Sequence, residues 1–176
     1  VLSAFGKAGA VASLDSEKPI PFKEIYHMGG VNSVRGFKYG EAGPRWDVST
    51  KVLAPLGATK MMLGSLELST PVGEGDQAPR AYLFYDIGGG WDTPIPNGLT
   101  RSDFDSLAST NTDKSVDELF KSQVKRDRFS LRHSVGIGIR MTAPYPVDIA
   151  WGYKLDRDKS VNEQPSEMNI SMNMPL

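Results

Sequence analysis

The side chains that most often carry acid–base or metal chemistry are scarce in this chain. It has no cysteine and two histidines, His27 and His133, which lie far apart in the sequence. Without cysteine there is no thiolate nucleophile and no thiolate metal site, and two distant histidines predict no metal centre. A triple glycine at residues 88–90 follows a predicted strand but opens no helical pattern, so it does not indicate a phosphate-binding loop. We therefore expect no enzymatic activity, no metal and no cofactor.

A guanidinium held between two carboxylates is the other chemistry that the residue types allow. Glu67 and Asp86 fall on the polar faces of two segments joined by a short Gly-rich turn, which makes them near cross-strand neighbours. Opposed like charges destabilise a sheet, and a bidentate arginine between them removes the conflict. Arg35 is the candidate, with Gly36 allowing close backbone approach and Phe37 filling an apolar niche. From these residues alone, three independently solvated surface charges are the simpler interpretation.

The elements that must position these side chains are predicted by alternation of apolar and polar residues. Five segments show the period of two that is typical of half-buried strands, and a sixth, residues 3–14, is also predicted to be a strand although it is mostly Ala and Gly and poorly patterned. The six segments are residues 3–14, 62–70, 81–88, 134–141, 147–155 and 168–176. In the last segment every second side chain is apolar: Met168, Ile170, Met172, Met174 and Leu176. The sequence therefore predicts an all-β chain of antiparallel strands.

A soluble β-sandwich and the wall of a transmembrane β-barrel both alternate in this way. Two details favour the barrel. Trp and Tyr lie near strand ends on the apolar faces, and short turns alternate with long polar connections, the longest at about residues 93–129. The longest apolar run, residues 81–85, is far too short for a membrane helix. Because membrane barrels need at least about eight strands, the six here would form part of a larger wall.

The charge pattern gives no sign of a nucleic-acid partner, since 20 Lys and Arg residues face 21 Asp and Glu residues. The basic run at residues 121–132 is expected to be a solvated loop end, with contact to lipopolysaccharide phosphates as the alternative. Apolar spacing within residues 113–125 predicts a short helix inside the long connection.

The most specific stretch is residues 28–44, MGGVNSVRGFKYGEAGP. Its ordered set of Gly29-Gly30, Val34-Arg35-Gly36-Phe37 and Gly43-Pro44 resembles the conserved loop of the BamA-like outer-membrane barrel-assembly insertases. Relatives of that family include the mitochondrial sorting-and-assembly barrel, the plastid import channel and the two-partner secretion transporters. Three later stretches resemble the family in the same order: SLELSTP at residues 65–71, FYDIG at 84–88 and GIGIR at 136–140.

The resemblance implies a transmembrane antiparallel β-barrel of about 16 strands, with residues 1–176 as its last six. It implies that an arginine loop, about residues 22–59, folds inward, while residues 93–129 form a long external loop. The motif Val34, Arg35, Gly36 and Phe37 would dock on wall residues, and the resemblance and the spacing together name these residues: Glu67, Asp86 and Gly88.

The function implied by the resemblance is the insertion and folding of β-barrel proteins into the outer membrane, by default a bacterial one. Substrate would enter through a lateral seam between the first and last strands, and the strand from Met168 to Leu176 would form one side of it. The implied partners are unfolded outer-membrane proteins, outer-membrane lipid, accessory proteins of the insertase complex, and further barrel strands with POTRA domains that precede this chain. A polypeptide-secreting transporter of the two-partner type and a soluble β-sandwich binding module remain the alternatives.

Overall fold

The structure is a computed structural model that describes residues 1–15, 20–49, 52–75, 77–95, 115–142, 145–159 and 163–172. Its strands are β1 (Leu2–Ala10), β2 (Arg45–Ser49), β3 (Val52–Pro55), β4 (Lys60–Pro71), β5 (Arg80–Trp91), β6 (Val124–Lys125), β7 (Arg132–Met141), β8 (Val147–Lys154) and β9 (Ser166–Met172). Its helices are a 3-10 turn, Phe22–Glu24, and α1, Val116–Gln123. None of the helices described is long and apolar enough to cross a membrane.

Six strands form one antiparallel sheet in the order β1-β4-β5-β7-β8-β9. Each corresponds to one of the six predicted segments, so the prediction of an antiparallel all-β chain is confirmed. The strand ends differ: β1 stops at Ala10 rather than at residue 14, and β9 begins two residues before Met168. Met174 and Leu176, which were assigned to the last strand, lie outside the described residues.

The two faces of this sheet differ sharply in polarity. One apolar row crosses all six strands through directly paired residues: Leu2, Leu68, Leu83, Ile137, Trp151 and Met168. Each of these side chains is between 47% and 75% exposed. Contiguous exposed apolar surface of this extent is rare on soluble monomers. The opposite face, here called the inner face, carries the charged and small residues together with buried side chains such as Leu63, Tyr82 and Phe84, and it is the face that the arginine loop covers.

A second, three-stranded sheet of order β3-β2-β6 lies within the two segments expected to be long loops. Strands β2 and β3 lie within residues 22–59, the expected arginine loop, and β6 lies within residues 93–129, the expected external loop. The expected loops are therefore partly ordered by pairing with each other, through Arg45↔Lys125 and Trp46↔Val124. β6 has only two residues and cannot show a period of two, whereas residues 45–49 (RWDVS) do alternate but were not predicted to be a strand because they lie inside the expected loop.

The predicted short helix is confirmed as α1, which packs on this small sheet. Ser115 caps its first turn in a capping box with Glu118. Leu119 and Phe120 of the helix are buried, and the Phe120 and Trp46 rings pack in a T-shaped arrangement with their centroids 5.6 Å apart. The helix therefore ties the external loop to the arginine loop at one end of the large sheet.

Candidate functional site: the docked arginine loop

Arg35 reaches from the arginine loop to the inner face of β4 and β5. Its Nε and Nη2 donate to the two carboxylate oxygens of Asp86, both at 2.8 Å, and its backbone N–H donates to Asp86 Oδ2 at 3.0 Å. Nη1 donates to Glu67 Oε2 at 3.0 Å, and Nη2 to the Ser65 hydroxyl at 3.0 Å. Asp86 is fully buried, so this bidentate pair is shielded from water.

The two carboxylates sit diagonally rather than opposite each other. Asp86 pairs with Ser65, and Glu67 pairs with Phe84, so the hairpin register differs by two residues from one in which Glu67 and Asp86 would be directly paired. A shift of two keeps every side chain on its face, and both acids still point inward. The guanidinium spans this diagonal, while Ser65 donates its hydroxyl to Asp86 at 2.6 Å.

The surroundings of Arg35 favour its charged form. Burial by itself would lower the pKa of the guanidinium, but the hydrogen bonds and charges of Asp86 and Glu67 raise it above its usual range. The guanidinium carbon also lies 3.9 Å from the centroid of the Phe84 ring and 5.3 Å from that of Tyr82. Planar stacking of this kind suits arginine and is poorly reproduced by lysine.

A second guanidinium, Arg140 of β7, shares Glu67 with Arg35. Arg140 Nη1 donates to Glu67 Oε1 at 2.9 Å, and its Nε donates to Asp148 Oδ2 at 2.8 Å. Asp148 also accepts a hydrogen bond from the Tyr82 hydroxyl. Charged hydrogen bonds thus connect β4, β5, β7 and β8 across the inner face. Alternation placed Arg140 on a polar face, but nothing in the sequence connected it to Glu67.

Val34 and Phe37 are fully buried in the main apolar cluster, which also contains Met28, Ala42, Met61 and Leu63. Gly88 makes room for Val34, since a Cβ at position 88 would lie 3.0 Å from Val34 Cγ2 and 2.8 Å from the Met62 carbonyl oxygen. The Phe37 ring lies 4.6 Å from the guanidinium carbon of Arg132 and 5.1 Å from Lys154 Nζ. The motif therefore anchors the loop by apolar burial as well as by charge.

Gly36 lets the loop backbone touch the backbone of β8. Its φ is +84°, which favours glycine, and a Cβ there would lie 2.8 Å from the carbonyl carbon of Gly152. A Cβ on Gly152 would in turn lie 2.6 Å from Gly36 Cα. Gly152 is a site residue that the sequence did not single out, since alternation marked it only as a polar-face position.

A cluster of buried ions lies beyond Phe37, at the end of the sheet where the long loops meet. Glu163 accepts hydrogen bonds from Arg132 at 2.8 Å and from Arg45 of the arginine loop. Arg132 is 1% exposed, so the expectation that the whole basic run 121–132 is solvated is wrong for its last member. The run ends where β7 begins, and the inward-facing position of Arg132 on that strand buries it.

The pKa of Glu163 is shifted by its surroundings. Burial alone would raise it, but the backbone N–H of Asp158 and the charges of Arg132 and Arg45 lower it below its ordinary range. The carboxylate is therefore held in its charged form by residues from three separate segments of the chain.

The strand assigned to the seam lies at one edge of the large sheet. Met168, Ile170 and Met172 of β9 point to the apolar face and are 59%, 54% and 65% exposed. Within the described residues β9 pairs with β8 alone, and its other edge has no partner strand.

The two histidines do not meet: His27 lies against Phe22 and Tyr39, while His133 hydrogen-bonds the Tyr85 hydroxyl at 2.6 Å. In the part of the chain that the structure describes, no group of three or more His, Cys, Asp or Glu could hold a metal ion.

The model of the Omp85 superfamily domain matches residues 1–174, and the chain therefore belongs to the Omp85 superfamily. It is similar to the outer membrane protein assembly factor BamA of Neisseria meningitidis serogroup B (strain ATCC BAA-335 / MC58), with 28% identity over 155 residues. That match covers 86% of this chain and 19% of the relative, so the chain spans about a fifth of the relative's length.

These matches confirm the resemblance to the BamA-like family that the loop motif indicated, and they place the protein in the outer membrane. An outer-membrane location accounts for the exposed apolar row, which a soluble β-sandwich would have to hide from water.

We expect Arg35→Ala to lower the free energy of unfolding of the full-length protein by about 3–5 kcal/mol, because it leaves the buried Asp86 carboxylate unpaired. Arg35→Lys keeps the charge but loses the bidentate fork and the stacking on Phe84, and should cost about 2 kcal/mol. Urea unfolding in detergent micelles measures both. The exposed Arg128 provides the control, since Arg128→Ala should change stability by less than about 0.5 kcal/mol. Equal effects at the two arginines would contradict the buried pairing.

Gly152→Ala should push the arginine loop off β8, because the new Cβ would overlap the Gly36 backbone. Overpacking of this kind typically costs about 1–3 kcal/mol. Limited proteolysis should then cleave the loop faster than in the parent protein. Gly6→Ala is the matched control, since a Cβ there meets only the Leu63 carbonyl oxygen, at 4.0 Å. Unchanged cleavage in Gly152→Ala would show that the close approach does not hold the loop.

The lowered pKa of Glu163 predicts an acid-dependent loss of stability. Its pKa is lower in the folded than in the unfolded protein, so its stabilising effect is complete above the ordinary value of 4.5 and is lost as pH falls below it. Glu163→Gln removes this effect at every pH. The stability gap between the parent and Glu163→Gln should therefore narrow as unfolding is measured from pH 7 down to pH 3. A gap that stays constant with pH would contradict the assignment.

Proposed function

We propose that this chain forms the C-terminal wall of a transmembrane β-barrel of about 16 strands that inserts and folds other β-barrel proteins into the outer membrane. The observation that carries the proposal is the sidedness of the six-stranded sheet. An exposed apolar row crosses one face from Leu2 to Met168, and the other face holds buried charges and the docked arginine loop. A barrel wall between lipid and a polar lumen needs this division.

The remaining strands of the barrel would come from the part of the protein that precedes this chain. Among the described residues, β1 and β9 are the two edges of the sheet. An open edge facing lipid would leave backbone N–H and C=O groups unpaired, which is costly in hydrocarbon. Six strands are also too few to close a membrane barrel. The chain matches only 19% of the BamA relative, so a protein of similar length would have room for further strands and for POTRA domains.

Insertion would occur at the edge of β9, where the seam with the first strand of the barrel lies. A strand of an incoming protein that pairs with this edge has its backbone groups satisfied while it enters lipid. This lowers the barrier to insertion without making or breaking a covalent bond, so the proposed role is not enzymatic. The outward side chains Met168, Ile170 and Met172 would face the lipid during this exchange.

The docked arginine loop would support this mechanism by stiffening the wall next to the seam. Arg35 ties the loop to β4 and β5, and the Gly36–Gly152 approach ties it to β8. The proposed partners are unfolded outer-membrane proteins, the surrounding lipid and accessory assembly proteins. The relative is an outer membrane protein assembly factor, which supports insertion over secretion of a polypeptide.

Reconstitution of the full-length protein in liposomes tests this function. A urea-denatured β-barrel substrate is added, and its folding is followed by heat-modifiable gel mobility and protease protection. Wild-type protein should speed substrate folding well above that in empty liposomes, and Arg35→Ala should reduce the effect. A correctly folded protein that gives no acceleration would refute the insertase role, and transfer of a polypeptide into the vesicle lumen would instead indicate a secretion transporter.

The exposed apolar row is expected to face lipid, and a charge placed in the middle of it tests this. Ile137 lies near the middle of β7 on the apolar face and is 55% exposed. Ile137→Lys should destabilise the protein in liposomes by about 2–4 kcal/mol if that position lies at the bilayer centre. Glu74→Lys, in the exposed turn between β4 and β5, is the control and should have little effect. An equally small effect at both positions would place the apolar row outside the lipid.

A further inference from the structure

Asn169 of β9 binds the backbone of the arginine loop directly. Its side chain faces inward, opposite Ala150 of β8. The Gly36 N–H donates to Asn169 Oδ1 at 2.8 Å, and Asn169 Nδ2 donates to the Phe37 carbonyl oxygen at 3.4 Å. The carboxamide thus pairs with one donor and one acceptor of the loop main chain, much as a peptide group of a neighbouring strand would. Asn169 is 133 positions from Gly36 and 132 positions from Phe37 in the sequence.

Other inward-facing side chains of β9 do not make such a contact. Glu167 and Ser171 flank Asn169 on the same face, and neither forms a hydrogen bond or ion pair with the loop among the residues described here. β9 is otherwise held by its ladder with β8, from Tyr153↔Ser166 to Val147↔Met172. Asn169 is therefore the point at which the edge strand and the loop exchange hydrogen bonds.

The loop is anchored to the opposite part of the wall by the residue next to this contact. Arg35 binds Asp86 of β5 through its backbone N–H and its guanidinium, and Gly36 follows it immediately. Consecutive loop residues therefore connect β5 to β9, bypassing the ladders through β7 and β8. The backbone of Gly36 is also pressed against Gly152, so the peptide that Asn169 binds has little freedom to shift.

We propose that Asn169 is a positioning residue that couples the docking of the arginine loop to the attachment of β9. Docking of the loop holds β9 in place beside β8, and release of the loop frees β9 to move. By thermodynamic linkage the effect is reciprocal, so movement of β9 away from β8 weakens the docking of the loop. The functional meaning of this coupling rests on the proposed seam, but the coupling itself can be measured without any substrate.

Hydrogen exchange read by mass spectrometry on the full-length protein in detergent micelles tests the contact. Peptides that cover β9 and residues 28–44 report on the two sides. Asn169→Ala removes two hydrogen bonds and should raise exchange in both peptides by roughly tenfold. Ser171→Ala, two residues further along the same face, is the matched control and should change neither. Peptides from β5 and β7 should stay as protected as in the parent, which shows that the barrel remains folded.

A double-mutant comparison then tests the coupling. Arg35→Lys loosens the loop, and in the parent background it should raise exchange in β9 as well as in the loop. In the Asn169→Ala background it should raise exchange in the loop with no further rise in β9. If Arg35→Lys does not fold, Glu67→Gln takes its place in the comparison. Glu67→Gln weakens the contact of Arg35 with position 67 and leaves the pairing of Arg35 with Asp86 intact.

Two results would overturn the proposal. The first is that the single variant Arg35→Lys or Glu67→Gln raises hydrogen exchange in the loop peptide but leaves exchange in the β9 peptide unchanged. The second is that Asn169→Ala leaves both peptides unchanged. Either result would leave the insertase function standing, because that function is judged by substrate folding in liposomes. Conversely, an inactive protein with intact coupling would reject the insertase role but not the part played by Asn169.

Discussion

A buried arginine between two inward-facing acids is the interaction on which the rest of this structure depends. Asp86 has no exposed surface, and a carboxylate buried in this way is stable only when it is paired. Arg35 supplies that pairing from a loop rather than from a neighbouring strand. With the loop in place, the buried Asp86 carboxylate is paired with Arg35, and without the loop it would lack this partner.

Several other features follow from this constraint. Where the loop reaches Asp86 its backbone passes close to β8, and the glycines at positions 36 and 152 allow that approach. Phe37 then falls into an apolar site bordered by Arg132 and Lys154, whose charges are balanced by Glu163 and Glu41. The small sheet and α1 cover the end of this arrangement. Charge pairing, close backbone packing and apolar burial thus act on the same short segment.

Alternation was sufficient to predict five of the six long strands, because apolar side chains recur at every second position over seven or more residues. β1 was harder to predict, because it is mostly Ala and Gly and nearly all of its residues are exposed. The motif around Arg35, together with its family resemblance, was sufficient to nominate Glu67 and Asp86. The register of the β4–β5 hairpin was not predictable, because a turn of this length allows alternatives that differ by two residues without moving a side chain to the other face. Arg140, Gly152 and Asn169 could not be found from sequence, because each acquires its role only through a partner far along the chain.

The central claim is that Arg35 and Asp86 stabilise the protein as a pair. A double-mutant cycle on the full-length protein, with Arg35→Ala, Asp86→Asn and the double variant compared by urea unfolding, measures this most directly. The structure predicts a coupling energy of about 1.5–3 kcal/mol, with the double variant more stable than the sum of the single losses implies. Additive losses with no coupling would show that the two residues act independently and would contradict the account of the docked loop.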